Sequence, residues 1–360
     1  CVMYRYWFDH IKGLTPVKKR ILYETFREAE ILYHAPEDTI RKVTGIEDQD
    51  VLAVTESKRS WNLEGAWMRL QERGISLVTL EDDEYPAKLA RIVAPPYALY
   101  YRGHLPDESH RSVAIVGARG RSAYGSQVAR ALAKRLAEFD VDIISGMALG
   151  IDTDGHMGAL DGGGRTYAVL GCGVDICYPK SNHFLYEEIP KEGGILSEFV
   201  PGTQPLPMLF PQRNRIISGL SDYVIVIEAR MKSGSLITAD YAMEQAREVY
   251  ALPGRITDEL SQGCNHLIQQ GAGVIASVDD FLKEMQLSDA SMDVQMDFRK
   301  NLLEKEETLV YSLFDFHPLG LGSLVEKTPY SLLEVLDILE RLQQKGFVKE
   351  TIPNFYVKTI

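Results

Sequence analysis

The chain has 360 residues, 45% of them hydrophobic and 25% charged, and a formal net charge of −12 at pH 7. This is the composition of an ordinary soluble globular protein of two or three domains, and no apolar run approaches the roughly 18 residues of a membrane span. No segment is basic: Lys plus Arg against Asp plus Glu is 12 against 12 in residues 1–76, 19 against 27 in 77–285 and 8 against 12 in 286–360. Any site for a polyanion must therefore be a local basic patch on an acidic body.

The first ten residues, CVMYRYWFDH, lack a basic region followed by an apolar core, so no signal peptide is expected. The cysteines Cys1, Cys172, Cys177 and Cys264 form no C-x-x-C pair. They read as free thiols in a reducing cytoplasm. No histidine stands at ligand spacing, and neither a metal nor a cofactor is expected.

Residues 1–76 are helical in pattern. Glycine hairpins are expected at Ile11–Pro16 and at Val43–Ile46. Such hairpins can hold a DNA backbone or simply pack helices, and the zero charge of this segment favours packing. Strands follow at Ile75–Leu80 and Tyr97–Tyr101.

The stretch from Val113 to Asp154 then organises the chain. A strand at Val113–Val116 breaks into Gly117-Ala118-Arg119-Gly120, and an amphipathic helix follows over about 123–139. A second strand around Ile143 and Ile144 breaks into Ser145-Gly146-Met147-Ala148-Leu149-Gly150 before another helix. Alternation of this kind implies parallel strands with helical crossovers. The turns then lie at the carboxyl edge of the sheet, where open α/β folds bind ligands, and helix N-termini attract anions.

The glycine spacing is neither G-x-G-x-x-G nor a P-loop. Arg119 and Arg121 inside the first turn point instead to phosphate without a nucleotide fingerprint. Further strands are expected at Thr166–Leu170, Ile195–Phe199 and Tyr223–Glu228, with helices at His183–Ile189, Arg213–Leu220 and Leu236–Val249. A last short strand covers Gly273–Ser277.

Residues 286–302 read as a polar linker. Residues 303–360 read as a separate winged helix, with helices at Leu303–Phe314 and Ser331–Leu342 and a hairpin to the end. Its candidate recognition helix carries Glu334, Asp337 and Glu340 against Arg341 and Lys345. That balance suits a protein contact better than a phosphate-lined groove.

Five stretches carry a resemblance: VAIVGARGRSAYG (113–125), SGMALGIDTDGHMGAL (145–160), AVLGCGVDICYPKSN (168–182), FPQRNRIISGLSDYVIVIEARMKSGSLITADYA (210–242) and ALPGRITDELSQGCNHLIQQGA (251–272). Together they resemble the DNA-processing protein A family, also called DprA or Smf. The resemblance implies an α/β fold with a Rossmann-like, mostly parallel sheet over residues 77–285. It also implies a SAM-like helical domain over 1–76 and a winged helix at 303–360. It implies a dimeric, non-enzymatic protein that binds single-stranded DNA, protects incoming strands in natural transformation and loads the RecA recombinase.

Carried over by motif, the implied DNA-binding residues are Arg119, Lys180, Gly146, Gly150, Arg213 and Arg215, with Arg121 as an added cation. Ala118 stands where many relatives have serine. Leu267, Ile268 and Val274 are the expected dimer interface, the alternative being core. Arg213 and Arg215 could instead pair with Glu228 or Glu198. Asp152 and His156, four apart on one helix face, are either an acid–base pair or a structural cap and its neighbour. Phe184 is expected in the core.

A rival reading is a nucleotide-processing phosphoribohydrolase of similar architecture. That family's Pro-Gly-Gly-x-Gly-Thr-x-x-Glu loop is replaced here by Glu228-Ala229-Arg230-Met231-Lys232-Ser233-Gly234-Ser235-Leu236. A duplex-binding regulator using the winged helix is a third reading, and the acidic recognition helix speaks against it.

Overall fold

A computed structural model describes residues 1–287, 303–314 and 318–358. The first 72 residues hold six helices: α1 (Val2–Asp9), α2 (Pro16–Phe26), α3 (Ala29–His34), α4 (Glu37–Arg41), α5 (Asp48–Ser60) and α6 (Leu63–Glu72). The helix starts are written locally. Thr15 accepts from the Lys18 backbone N–H ahead of Pro16 at the first turn of α2, and Asn62 caps α6. Gly13 and Gly45 turn the two hairpins at φ of +87° and +89°, a conformation that glycine adopts without strain.

Trp7, Phe8, Leu22, Leu32, Ile40, Val51 and Val54 close around one another as the core of this unit. Lys18 crosses from one hairpin to the other, donating to the Gly45 carbonyl at 2.6 Å and pairing with Asp50 at 3.1 Å. The hairpins are thus tied together by Lys18. The helical unit also sits directly on the sheet: Arg5 pairs with Glu81 and Asp82, and the Tyr100 hydroxyl donates to Asp9 at 2.6 Å.

The central sheet has nine strands in the order β1-β2-β6-β5-β4-β3-β7-β8-β9. In chain order they are β1 (Ser76–Thr79), β2 (Ala98–Gly103), β3 (Ser112–Val116), β4 (Asp142–Ser145), β5 (Thr166–Val169), β6 (Gly194–Ser197), β7 (Tyr223–Val226), β8 (Glu248–Ala251) and β9 (Gly273–Val274). β1, β2 and β6 pair antiparallel. Every other pair is parallel.

The connecting helices are α7 (Ala87–Ala90), α8 (Ala123–Glu138), α9 (Ile151–Asp161), α10 (His183–Glu192), α11 (Leu209–Gly219), α12 (Gly234–Glu244), α13 (Glu259–Gln269) and α14 (Val278–Glu284). They cover both faces, so the inner strands are apolar on both sides. Within β3, Val113 and Ile115 meet α8 and α14 through Leu132, Leu136 and Phe281. Ala114 and Val116 meet α11, α12 and α13 through Ile216, Ala239 and Leu267. β3 lies at the centre: the chain steps outward to β4, β5 and β6, then returns through α11 to β7 on the other side of β3. The crevice of a doubly wound sheet opens at that reversal, outside the carboxyl ends of the strands.

Two expectations change. The helix expected to run from Leu236 to Val249 ends at Glu244. Ala246 takes φ +55°, and Glu248–Ala251 pair in parallel with β7 as β8. The buried pattern of Val249, Tyr250 and Ala251 fits either element, and pairing with β7 decides it. Glu259–Gln269 is a helix where the sequence pattern suggested none.

The carboxyl-terminal residues form α15 (Lys305–Ser312), β10 (Leu319–Gly320), α16 (Leu321–Lys327), α17 (Leu332–Gln344), β11 (Val348–Ile352) and β12 (Phe355–Lys358). Three helices and a three-stranded antiparallel sheet in this order make a winged helix around Val310, Leu324, Val335, Leu339 and Leu342. Of the expected linker, 286–302, all but Gln286 and Leu287 lie outside the described residues. No helix among the described residues is long and apolar enough to cross a membrane.

Leu132 is fully buried between α8 and the sheet. Leu132→Ala should lower stability by about 2–5 kcal/mol, the range for a truncated core leucine. The check is a shifted denaturant midpoint at unchanged slope.

Candidate functional site

Four turns meet at the carboxyl edge, and the chain's own carboxylates occupy two of them. The N-terminus of α8 receives Glu228 from the end of β7: the Ser122 N–H donates to Glu228 Oε2 at 2.9 Å, and Ser122 Oγ accepts from the Gly125 N–H at 3.0 Å. A Cβ on Gly125 would strike the Glu228 carboxylate. The place where dinucleotide folds hold a pyrophosphate is thus filled from within.

The turn after β4 is filled in the same way by Asp152, which accepts from Gly146 N–H at 3.1 Å and Ala148 N–H at 3.4 Å. Burial raises the Asp152 pKa, and the nearby Arg213 charge opposes that rise. Gly150 sits at φ +85°, and a Cβ there would strike the Ala118 and Arg119 carbonyls. Gly146 faces the Arg213 guanidinium, which a Cβ would displace. Both glycines were expected to bring backbone close to phosphate. In the fold each also has a packing reason to be small. Gly150 lets two turns touch, and Gly146 makes room for Arg213.

Arg213 itself is buried. Its Nη1 donates to the Gly146 carbonyl at 2.8 Å and to the Val169 carbonyl, and its Nε donates to Asn214 Oδ1 at 3.2 Å. Nη2 has no partner among the described residues. Desolvation pulls this guanidinium down to about 10, opposed by Asp152, so it remains charged at neutral pH. Arg215 grips Glu198 with both Nη atoms at 2.7 and 2.6 Å, the carboxylate alternative foreseen for it. Arg121 is held by Asp154 through Nε and through Nη2, the latter at 3.1 Å.

Asp152 and His156 do not form an acid–base pair. His156 Nδ1 lies 2.7 Å from Thr166 Oγ1, and burial drives its pKa down to about 3. Cys172 is buried, and burial pushes its thiol up to about 11, far from a nucleophilic thiolate. Among the described residues, no group of three or more His, Cys, Asp or Glu could hold a metal ion.

What stays open is a cleft of about 400 Å³ between the end of β3 and the starts of α11 and α12. Arg119, Tyr178, Phe210, Arg213, Asn214 and Ser233 line it. The Tyr178 and Phe210 rings stack, with centroids 5.5 Å apart and planes 23° apart. The Arg119 guanidinium lies over the Phe210 ring at 5.5 Å. Asn214 Nδ2 holds the Gly234 carbonyl at 3.1 Å and so fixes the α12 end of the cleft.

Lys180 stands exposed just beyond Tyr178, in a single 3₁₀ turn at Lys180–Asn182 that Asn182 anchors to the Met147 carbonyl at 2.9 Å. Arg119 and Lys180 are both exposed, and neither has an ion pair with any described residue. Phe184, expected in the core, is 60% exposed, because α10 turns its other face, Leu185 and Ile189, to the sheet. Tyr178 and Phe210 were not foreseen from sequence. Their signal was an aromatic beside proline, Tyr178-Pro179 and Phe210-Pro211, in two of the five family stretches.

The residues expected at a dimer interface part company. Leu267, on the inner face of α13, is buried in the core, so its place at an interface is corrected. Ile268 is half-buried. Val274 is 46% exposed on the edge strand β9.

A family model described as DNA recombination-mediator protein A matches residues 76–286. The DNA processing protein DprA of Streptococcus pneumoniae is 44% identical over 229 residues, 64% of this chain and 81% of that protein. Protein Smf of Synechocystis is 37% identical over 286 residues, 78% of this chain and 72% of that protein. The X-ray structure of the Streptococcus pneumoniae protein superposes with a TM-score of 0.70 at 38% identity, covering 78% of this chain and 97% of that one. A Helicobacter pylori DNA processing protein A, solved for its single-stranded DNA binding mode, gives a TM-score of 0.53 at 32% identity, covering 59% of this chain and 95% of that one.

Asp152 both caps the second turn and faces the buried Arg213 charge. Asp152→Ala should destabilise the fold by about 3 kcal/mol or more, because it strands a buried cation. The check is thermal unfolding at pH 7.

Proposed function

Because the chain belongs to the DNA recombination-mediator protein A family, we propose that it binds single-stranded DNA along the carboxyl edge of the central sheet. One observation carries this reading. Two exposed cations have no ion pair among the described residues: Arg119 lines the cleft over the Phe210 ring that stacks on Tyr178, and Lys180 follows Tyr178 by two residues at the end of the same loop. Cations that track a backbone beside aromatics that stack on bases are the general means of holding a single strand.

In this reading Arg119 forks onto phosphate oxygens while Lys180 acts as a point charge. Arg213 presents Nη2 to the cleft, and Gly146 and Gly150 shape its floor. Arg121 and Arg215 join only by exchanging Asp154 or Glu198 for phosphate. Duplex DNA keeps its bases stacked inside and cannot use the aromatic pair.

The rival phosphoribohydrolase reading loses support. Glu228 closes the α8 N-terminus, and the glycine loop that such an enzyme needs is absent. The role proposed for the whole chain is non-enzymatic and cytoplasmic: protection of incoming single strands in natural transformation and their delivery to the RecA recombinase. The proposed assembly is a homodimer through Ile268 and Val274 at the β9 edge. A second groove of about 400 Å³ lies nearby between α12 and α13, with Leu236, Ile237 and Leu267 beside Lys232, Asp240 and His266.

Arg119→Ala should weaken binding of a labelled single strand by about 1–3 kcal/mol. Lys180→Ala should weaken it less, and Arg119→Lys should restore only part of the loss. Each lost contact should flatten the log–log salt slope by about 0.7 for a single strand. A folded double variant with parental affinity and slope would place the site elsewhere.

Ile268→Asp should give a folded monomer by light scattering. An unchanged dimer would move the interface, and an unfolded product would return Ile268 to the core.

A further inference from the structure

The outward face of α17 is the surface a winged helix ordinarily offers to a DNA groove. Here it is built against phosphate. Val335, Ile338, Leu339 and Leu342 form the buried stripe of the helix. At about 100° per residue, Leu333, Asp337 and Glu340 fall on the opposite side.

Leu333 is 78% exposed and Leu332 is 49% exposed. Arg341 is shared among three carboxylates: Glu304 at 2.9 Å, Asp337 at 3.2 Å and Glu306 at 3.5 Å. One positive charge against three, with Glu340 beside them, leaves the ridge between α15 and α17 strongly acidic. The neighbouring Lys345 does not offset it, since its ammonium is paired at 2.7 Å with the buried Glu307.

An exposed leucine set in an acidic ridge is costly to leave in water and repels nucleic acid. Its complement is a surface with an apolar anchor ringed by lysine or arginine. We propose that the α17 face is a docking site for a basic amphipathic helix of a partner protein. Leu333 supplies the apolar contact, and Asp337, Glu340 and Glu304 supply the charge. The face is separate from the cleft of the central sheet, and the inference does not depend on what that cleft binds.

The test uses the full chain and a fluorescein-labelled 14-residue leucine–lysine amphipathic peptide as the probe. A leucine–glutamate peptide of the same pattern serves as the control. The lysine peptide should bind in a salt-sensitive manner, and the glutamate peptide should not.

Asp337→Lys with Glu340→Lys should weaken the lysine peptide about tenfold or more, the scale of one to two lost charge contacts. Leu333→Ser should weaken it comparably, and its exposed position leaves folding intact by circular dichroism. The charge-matched pair Glu56→Lys with Glu72→Lys, on the amino-terminal helices, should leave binding unchanged. The proposal is overturned if that pair weakens binding as much, if Leu333→Ser has no effect, if no peptide binds, or if blunt duplex DNA binds and is lost on the α17 variants.

Discussion

A guanidinium held out of water sets the geometry of the central cleft. Arg213 reaches from α11 to the Gly146 and Val169 carbonyls, at the ends of β4 and β5. Desolvating an ion of this size costs several kcal/mol unless close polar partners replace its hydration. Those partners are the two carbonyls, Asn214 and the Asp152 charge. Gly146 is small because the guanidinium fills the space a side chain would need. Asn214, held by the same helix, then fixes the start of α12 through the Gly234 carbonyl. The floor of the cleft and its α12 rim are thus positioned by neighbouring residues of one helix.

The same edge shows why an open α/β fold need not bind a nucleotide. Its turns supply the N–H groups and helix ends that attract anions. Glu228 and Asp152 satisfy two of them internally, at hydrogen-bond distances of 2.9–3.4 Å. In the proposed site, attraction is left to the exposed Arg119 and Lys180 and to two stacked rings. On a chain of net charge −12, a ligand feels those cations only within about 8–10 Å at ordinary ionic strength. A site of this kind holds a flexible polyanion that can bring phosphates and bases to it one at a time.

Much of the central fold was legible because it rests on local patterns. Strands that bury both faces read as short apolar runs, such as Val113–Val116 and Tyr223–Val226, and glycine turns punctuate them. The misread elements are those where a local pattern fits two answers. Val249–Ala251 continues a helical periodicity and yet pairs with β7. Phe184 is an aromatic on an amphipathic helix, and the rotation of that helix against the sheet decides whether it is covered. Leu267 and Val274 look alike in sequence, and only the packing of α13 against the edge of the sheet separates core from surface.

By itself, the sequence determined most of the order of strands and helices, β8 and α13 excepted, the acidic body with few local cations, and the motifs by which the chain resembles its family. These depend on neighbours along the chain, and residue spacing encodes them. Tertiary structure alone decided which charges are free. Arg119, Arg121, Arg213 and Arg215 look equivalent as letters. Their partners lie 33 residues away for Arg121, 17 for Arg215, and 44 and 67 for Arg213. Only folding brings a carboxylate or a carbonyl to one arginine and leaves another facing solvent.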